Sequence, residues 1–264
     1  MKQSATRFTA CAAGLTLSAL ALGALANEAR AESLIEFSAE TQMQLDFHVP
    51  DAALAAMLPA GWVPYVATQG PAKDANIRMV FIDRGDITGP DNKPLGRGSN
   101  QLVYLIVPIK QAATGTVGQL VLAGITADPA DAPGPFGVYV PTSQHRMQRS
   151  TVADGGATLT EEHWEFAAAS GERMEVHLKY ERRGAPKAAA EVKFFSAKDP
   201  ATYQIFKYER GLDIMRNATV NVGDRVTNFS YKASGGRIAK LFDGTEKVLS
   251  IDAIHWSTRA AFAP

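Results

Sequence analysis

Arg173-Met174-Glu175-Val176-His177-Leu178-Lys179-Tyr180 alternates polar and apolar residues without a break. In an extended chain Glu175, His177 and Lys179 share one face, and Met174, Val176, Leu178 and Tyr180 the other. A carboxylate, an imidazole and an amine in a row could move protons if that row lined a cavity. On a solvated face they would form cross-strand ion pairs, and the alternation favours that reading. Lys110 and Lys193 offer amines that could act as nucleophiles, but lysines at strand ends are ordinarily solvated. The five histidines, His48, His145, His163, His177 and His255, show no H-x-H or H-x-x-x-H spacing. No metal is therefore expected. Asp83, Asp86 and Asp91 imitate the start of a calcium loop, but Thr88 and Pro94 stand where its glycine and glutamate belong. Ser143 lacks the G-x-S-x-G context of a hydrolase elbow. Gly134-Pro135-Phe136-Gly137 is a turn, not a phosphate cradle, and no cofactor is expected.

These side chains need elements to hold them. Period-two patterns and short apolar runs predict strands at Leu45–Val49, Ile77–Asp83, Gln101–Ile109 and Gln119–Thr126. Others are expected at His163–Ala168, Arg173–Tyr180, Ala190–Phe195, Arg225–Tyr231 and Val248–Trp256. Gly- and Pro-rich stretches such as Gly85–Gly98 and Asp128–Gly137 punctuate them. Helices are few. Asp51 reads as the cap of one that Pro59 stops, Asp199-Pro200 opens one that Gly211 closes, and Ser234–Gly244 is a third. Ile238, Leu241 and Phe242 would share that third helix's buried face. The class is mainly β (α+β): a closed barrel or a sandwich with a few short outer helices, in antiparallel order because most connections are short.

The N-terminal 31 residues read as a cleaved bacterial secretion leader. Lys2 and Arg7 precede an uncharged run, Ala10–Ala26, and small residues follow at Ala24-Leu25-Ala26 and Ala29-Arg30-Ala31. Cys11, the only cysteine, lies inside it, so the mature chain, 32–264, would carry no thiol. That excludes disulfides, a Cys nucleophile and Cys-ligated metals. Removing the leader takes three of 27 basic and one of 27 acidic residues, leaving a formal charge of −2. Such a balance argues against a nucleic-acid partner. No linker or repeat divides the mature chain, which reads as one periplasmic or secreted domain without stable membrane insertion. Its homo-oligomeric state is left open.

The run Phe47-His48-Val49-Pro50-Asp51-Ala52-Ala53-Leu54, ending in Leu58-Pro59-Ala60-Gly61-Trp62-Val63-Pro64, resembles the opening of the acetoacetate decarboxylase family. Met79-Val80-Phe81-Ile82-Asp83 with Asp86-Ile87-Thr88-Gly89 is similar to its next strand and loop, and Val107-Pro108-Ile109 to the strand after. Leu122–Asp128 followed by Gly137–Ser143 resembles the segment that carries its catalytic lysine, and Val248–Pro264 its closing strand. The resemblance implies a cone-shaped antiparallel barrel around a cavity for a small carbonyl compound.

The departures bear on activity. The family's Pro-Lys-Lys becomes Pro141-Thr142-Ser143 here, with no amine to form an imine. Its substrate-binding arginine falls at His48, one site acid near Gln101 or Leu102, and another about Val80. The lining implied is His48, Gln101, Tyr139, Thr142 and Ser143, neutral side chains suited to a mostly apolar ligand bearing a carbonyl or hydroxyl. Binding without imine chemistry is the expected function. The alternative is a lyase, hydratase or isomerase on a small carbonyl compound, with His48 or a relocated lysine as base. An ionisable pair within hydrogen-bond reach in the cavity would favour the enzyme; apolar walls with isolated hydroxyls would favour the binder.

Overall fold

The computed structural model describes residues 32–264. The expected leader and Cys11 lie outside the described residues. Twelve strands form in the order β1 (Ser33–His48), β2 (Trp62–Pro64), β3 (Ile77–Thr88), β4 (Asn100–Gln111), β5 (Val117–Thr126) and β6 (Tyr139–Asp154). There follow β7 (Ala157–Ala168), β8 (Arg173–Arg182), β9 (Lys187–Ser196), β10 (Tyr203–Asn217), β11 (Val226–Ser234) and β12 (Lys247–Ala263). Every strand expected from periodicity is present, most of them longer than expected. Among the described residues no helix is long and apolar enough to cross a membrane.

The strands make one mixed sheet. The pairings run β4–β5–β9–β10–β12–β1–β3 and return to β4, because β5 bonds to both β4 and β9. β6, β7, β8 and β11 form a second layer that joins the ring where Tyr139 of β6 lies beside Gly124 of β5. The expectation of purely antiparallel order needs correction: β5 runs parallel to both β6 and β9. Between β5 and β6 lies a crossover, residues 127–138, that contains one 3-10 turn, Pro129–Asp131, and is otherwise irregular.

The helices also need correction. The α-helix α1 covers only Asp51–Ala55, and Pro50 rather than Asp51 is its cap. Asp51 instead accepts a hydrogen bond from Asn76 Nδ2 at 3.0 Å. Ser234–Gly244 contains a single 3-10 stretch, Gly236–Lys240, with Ile238, Leu241 and Phe242 buried as expected. The helix expected over Asp199–Gly211 does not form. Asp199 caps only a tight turn, with Thr202 N donating to Asp199 O at 2.9 Å, and the chain then enters β10. There it bonds to β9 on one side and β12 on the other, a gain that outweighs a local capping signal.

On β1, β3 and β4 both faces of the ring are buried. Met79 and Phe81 of β3, Val103 and Leu105 of β4 and Leu45 of β1 pack outward against Trp164, Phe166, Val176 and Leu178 of the second layer. Val80, Ile82, Leu102, Tyr104, Val121, Phe194, Phe206 and Tyr208 occupy the opposite faces of the ring strands and converge inside it. This explains runs such as Met79-Val80-Phe81-Ile82, which are apolar at every position. Each fully buried side chain of this size contributes about 1.5–3 kcal/mol.

Candidate functional site

The polar side chains inside the ring come from period-two spacing on long strands. On β1, Ser38, Glu40, Gln42, Gln44 and Asp46 occupy alternate positions, and each is buried. Between them Met43, Leu45 and Phe47 face the outer core. Arg78 and Arg84 flank Val80 and Ile82 on β3, Arg210 follows Tyr208 on β10, and β12 adds Ser250, Asp252, Ser257 and Arg259.

One end of this interior is clamped shut by charge. Glu40 accepts hydrogen bonds from Ser38 Oγ and Gln42 Nε2, both at 2.7 Å. Arg259 Nη2 lies 2.8 Å from the same carboxylate, and Arg84 Nε 3.5 Å from it. Arg84 and Arg259 also hold Glu36, and both guanidinium groups are fully buried. Burial alone would push the Glu40 carboxyl up; the two guanidinium groups and the two hydrogen bonds outweigh it and hold the group below its ordinary 4.5. At this end Arg84 Nε, Arg259 Nε, Arg259 Nη1 and Ser257 Oγ are buried without a hydrogen-bond partner among the described residues.

The other end is open. Arg78 meets Asp46 in a bidentate pair, Nε–Oδ1 2.5 Å and Nη2–Oδ2 2.8 Å. Burial works against the charged Arg78, but Asp46 more than compensates and raises its pKa. Both residues line a cavity of about 290 Å³ with Tyr65, Ile77, Pro108 and Gln119. Asp252 lies behind them. Its carboxylate accepts from Gln44 Nε2 at 2.9 Å and Ser250 Oγ at 2.6 Å. Burial, and then the nearby Asp46 charge, push it up from 3.8 to about 7. Arg210, beside the Tyr208 ring, makes no ion pair with a described residue; burial and the neighbouring Arg78 lower its pKa.

The five side chains expected to line a site are not gathered here. His48 ends β1 opposite Lys247, with Nδ1 2.8 Å from the Asp74 carbonyl and Nε2 3.8 Å from Asp51. It stands one step outward from Asp46 on the same strand face. Gln101 has the parity of Val103 and Leu105, so it faces away from the interior and donates to Asp83 Oδ1 at 3.1 Å. Thr142 and Ser143 direct their hydroxyls at the Ala167 carbonyl of β7, at 2.9 and 3.1 Å. Tyr139 packs with the inner cluster while its hydroxyl donates to Pro133 O at 3.3 Å. None of the five lines the cavity beside Arg78 and Asp46, whose wall is mostly apolar around that one ion pair. A second cavity, about 310 Å³, lies nearby, edged by Gly137, Val140, Glu172, Lys198 and Arg237.

Lys110 and Lys193 are exposed, lying over the Tyr65 and Tyr203 rings. Glu175, His177 and Lys179 occupy the outer face of the second layer, where Glu175 and His177 are hydrogen-bonded to His163 and Glu161 at 3.1 and 2.9 Å.

No protein-family profile and no curated protein matches the sequence. Solved structures do. An acetoacetate decarboxylase-like enzyme from Sphingomonas wittichii RW1 aligns with a TM-score of 0.50 at 13% identity, covering 88% of this chain and 91% of that one. The enduracididine biosynthesis enzyme MppR with HEPES buffer bound aligns with the same score and identity, covering 88% and 86%. An acetoacetate decarboxylase from Legionella pneumophila aligns at 0.48 with 11% identity over 88% of each chain. This chain has the acetoacetate decarboxylase-like fold, and at such identity the likeness reaches no further than the fold.

Proposed function

We propose that the ring is a closed, cone-shaped barrel, that the mature chain, 32–264, is exported after loss of its leader, and that it binds a small molecule at the barrel mouth. The ligand bears a carbonyl, carboxyl or hydroxyl oxygen that accepts from Arg78. The observation that carries this reading is the Arg78–Asp46 pair in the wall of the 290 Å³ cavity. Arg78 is 23% exposed, and Asp46 occupies only its Nε and Nη2, leaving donor capacity toward the opening. Apolar groups around a few convergent polar ones suit a small polar ligand. The test is native mass spectrometry of protein taken from periplasm. A small molecule should accompany the natural chain and be absent from the Arg78→Met/Asp46→Asn double variant, which removes both charges together. Retention by that variant would sink the assignment.

The enzyme reading is favoured by Asp252. A carboxyl held near 7 can exchange its proton at neutral pH, which suits a lyase, hydratase or isomerase. The chemistry would proceed without an imine, since no described lysine is buried. With acetoacetate as probe in heavy water, the protein should speed deuterium entry at C2, and Asp252→Asn should abolish the acceleration. A borohydride-trapped adduct on any lysine would overturn the imine-free chemistry.

A further inference from the structure

The outer face of the β7–β8 hairpin carries a second constellation, separated from the barrel interior by the outer core. His163-Trp164-Glu165 on β7 runs antiparallel to Glu175-Val176-His177 on β8. The register sets His163 opposite His177 and Glu165 opposite Glu175. Because side chains alternate, all four share one face, while Trp164 and Val176 are locked in the core on the other. Directly paired residues of this kind hold their Cβ atoms about 4.5–5.5 Å apart. One ligand atom from each of His163, Glu165 and Glu175 lies within 4.8 Å of the others.

We propose that this face binds a divalent transition metal of the zinc class, with His163, Glu165 and Glu175 as its ligands. Three observations support it. First, His163 Nε2 and Glu175 Oε1 are 3.1 Å apart, close to the separation of about 3.3 Å between neighbouring ligands in a tetrahedron of 2.0–2.1 Å bonds. Second, the place between the carboxylates already holds a positive charge: Arg173 Nη2 lies 2.8 Å from both Glu165 and Glu175. A metal ion would displace that guanidinium and inherit both oxygens. Third, the ligands are half-buried or buried on a rigid hairpin, and the face opens at His163 onto a broad groove shared with Glu161 and His177. Water can fill the remaining coordination positions from that side.

The imidazole sets the metal. Magnesium and calcium take oxygen ligands, whereas a mixed nitrogen and oxygen set suits zinc, nickel or copper. The other cations on this face are Arg146, across from Glu165, Lys232, across from Glu175, and Lys179, which faces Glu161; Glu161 and Glu181 are its remaining carboxylates. Those cations and Arg173 oppose a metal ion, so the resting state is the arginine-bound one and removal of Arg173 should favour the metal.

The experiment is calorimetric titration of the chelator-treated protein with Zn²⁺ alone. One ion should bind per chain. His163→Gln and Glu175→Gln should each weaken binding by at least roughly tenfold, Arg173→Gln should tighten it, and His145→Gln should leave it unchanged. The circular dichroism spectrum of each variant confirms its fold. Co²⁺ should give the intense visible bands of a four-coordinate site in the natural chain and lose them in His163→Gln. No Zn²⁺ binding, equal binding of Mg²⁺, weaker binding by Arg173→Gln, or full affinity in a folded His163→Gln/Glu175→Gln variant would each overturn the proposal.

Discussion

Replacing Asp252 by Asn tests the charged interior directly. Asp252 Oδ2 accepts from Gln44 and Oδ1 from Ser250 Oγ, whose oxygen can equally accept from an amide. Asn therefore fits with one rotamer and no charge. A carboxyl raised from 3.8 to about 7 binds more protons in the folded chain than in the unfolded one across that interval. Stability then falls as pH rises, the loss beginning near 4 and completing just above 7. At about 1.4 kcal/mol per tenfold change in proton activity, the penalty at pH 8 is of the order of 4 kcal/mol. Asn escapes it. Urea unfolding of both proteins from pH 4.5 to 8 should show nearly equal stability at the acid end. At pH 8 the variant should lead by a few kcal/mol, roughly 8–16 °C in Tm for a chain of this size. Parallel curves, with a constant difference at every pH, would mean that Asp252 is ionised throughout, and the reasoning would fail.

Arg259→Met should cost about 3–5 kcal/mol in urea unfolding, because Glu40 is left buried with Arg84 as its remaining cation. The Glu40 carboxyl is held low, so the clamp acts above the ordinary carboxylate range and is lost as pH falls; the deficit should shrink in acid. A Cβ at Gly124 would lie 2.5 Å from the Tyr139 ring and 3.1 Å from the Val103 carbonyl. Gly124→Ala should therefore destabilise by about 1–3 kcal/mol, and a neutral result in thermal melts would displace Tyr139 from the interior. N-terminal sequencing of protein recovered from a bacterial periplasm should begin near Asn27 or Glu32; a chain starting at Met1 would refute export.

Much of the fold was legible because a strand's apolar period survives without its neighbours. Leu102–Val107 and Met79–Ile82 announce two buried faces wherever they pack. β10 was misread because Asp199-Pro200 is a true local signal: Asp199 does cap, but only the turn before the strand. β6 escaped notice because Gln144–Ser150 is polar, and one of its faces stays in solvent. The interior charges were invisible for a different reason. Ser38, Glu40, Gln42, Gln44 and Asp46 alternate like any solvated face, and only ring closure buries them. Their partners are remote in the chain: Asp46 meets Arg78 across 32 positions, Gln44 meets Asp252 across 208, and Glu36 meets Arg259 across 223. The His163 and Glu165 face could have been found by looking for H-x-E opposite E-x-H rather than for paired histidines alone.

The parallel contact between β5 and β9 has a consequence in time. It consists of three register pairs, Gln119–Val121 with Phe194–Ser196, whereas β1 and β12 pair along almost their whole length. Closing it joins residue 119 to residue 194 for three pairs alone, whereas the longer closure of β1 with β12 is repaid by pairing along nearly all of both strands. The seam is tight, for a Cβ at Gly118 would lie 2.6 Å from the Lys193 carbonyl, but it is short. The ring should thus zip last at this seam and breathe there first. In hydrogen exchange the amides of Gln119–Val121 would give way before those of β1, so that transient access to the buried charges comes through the wall as well as through the mouth.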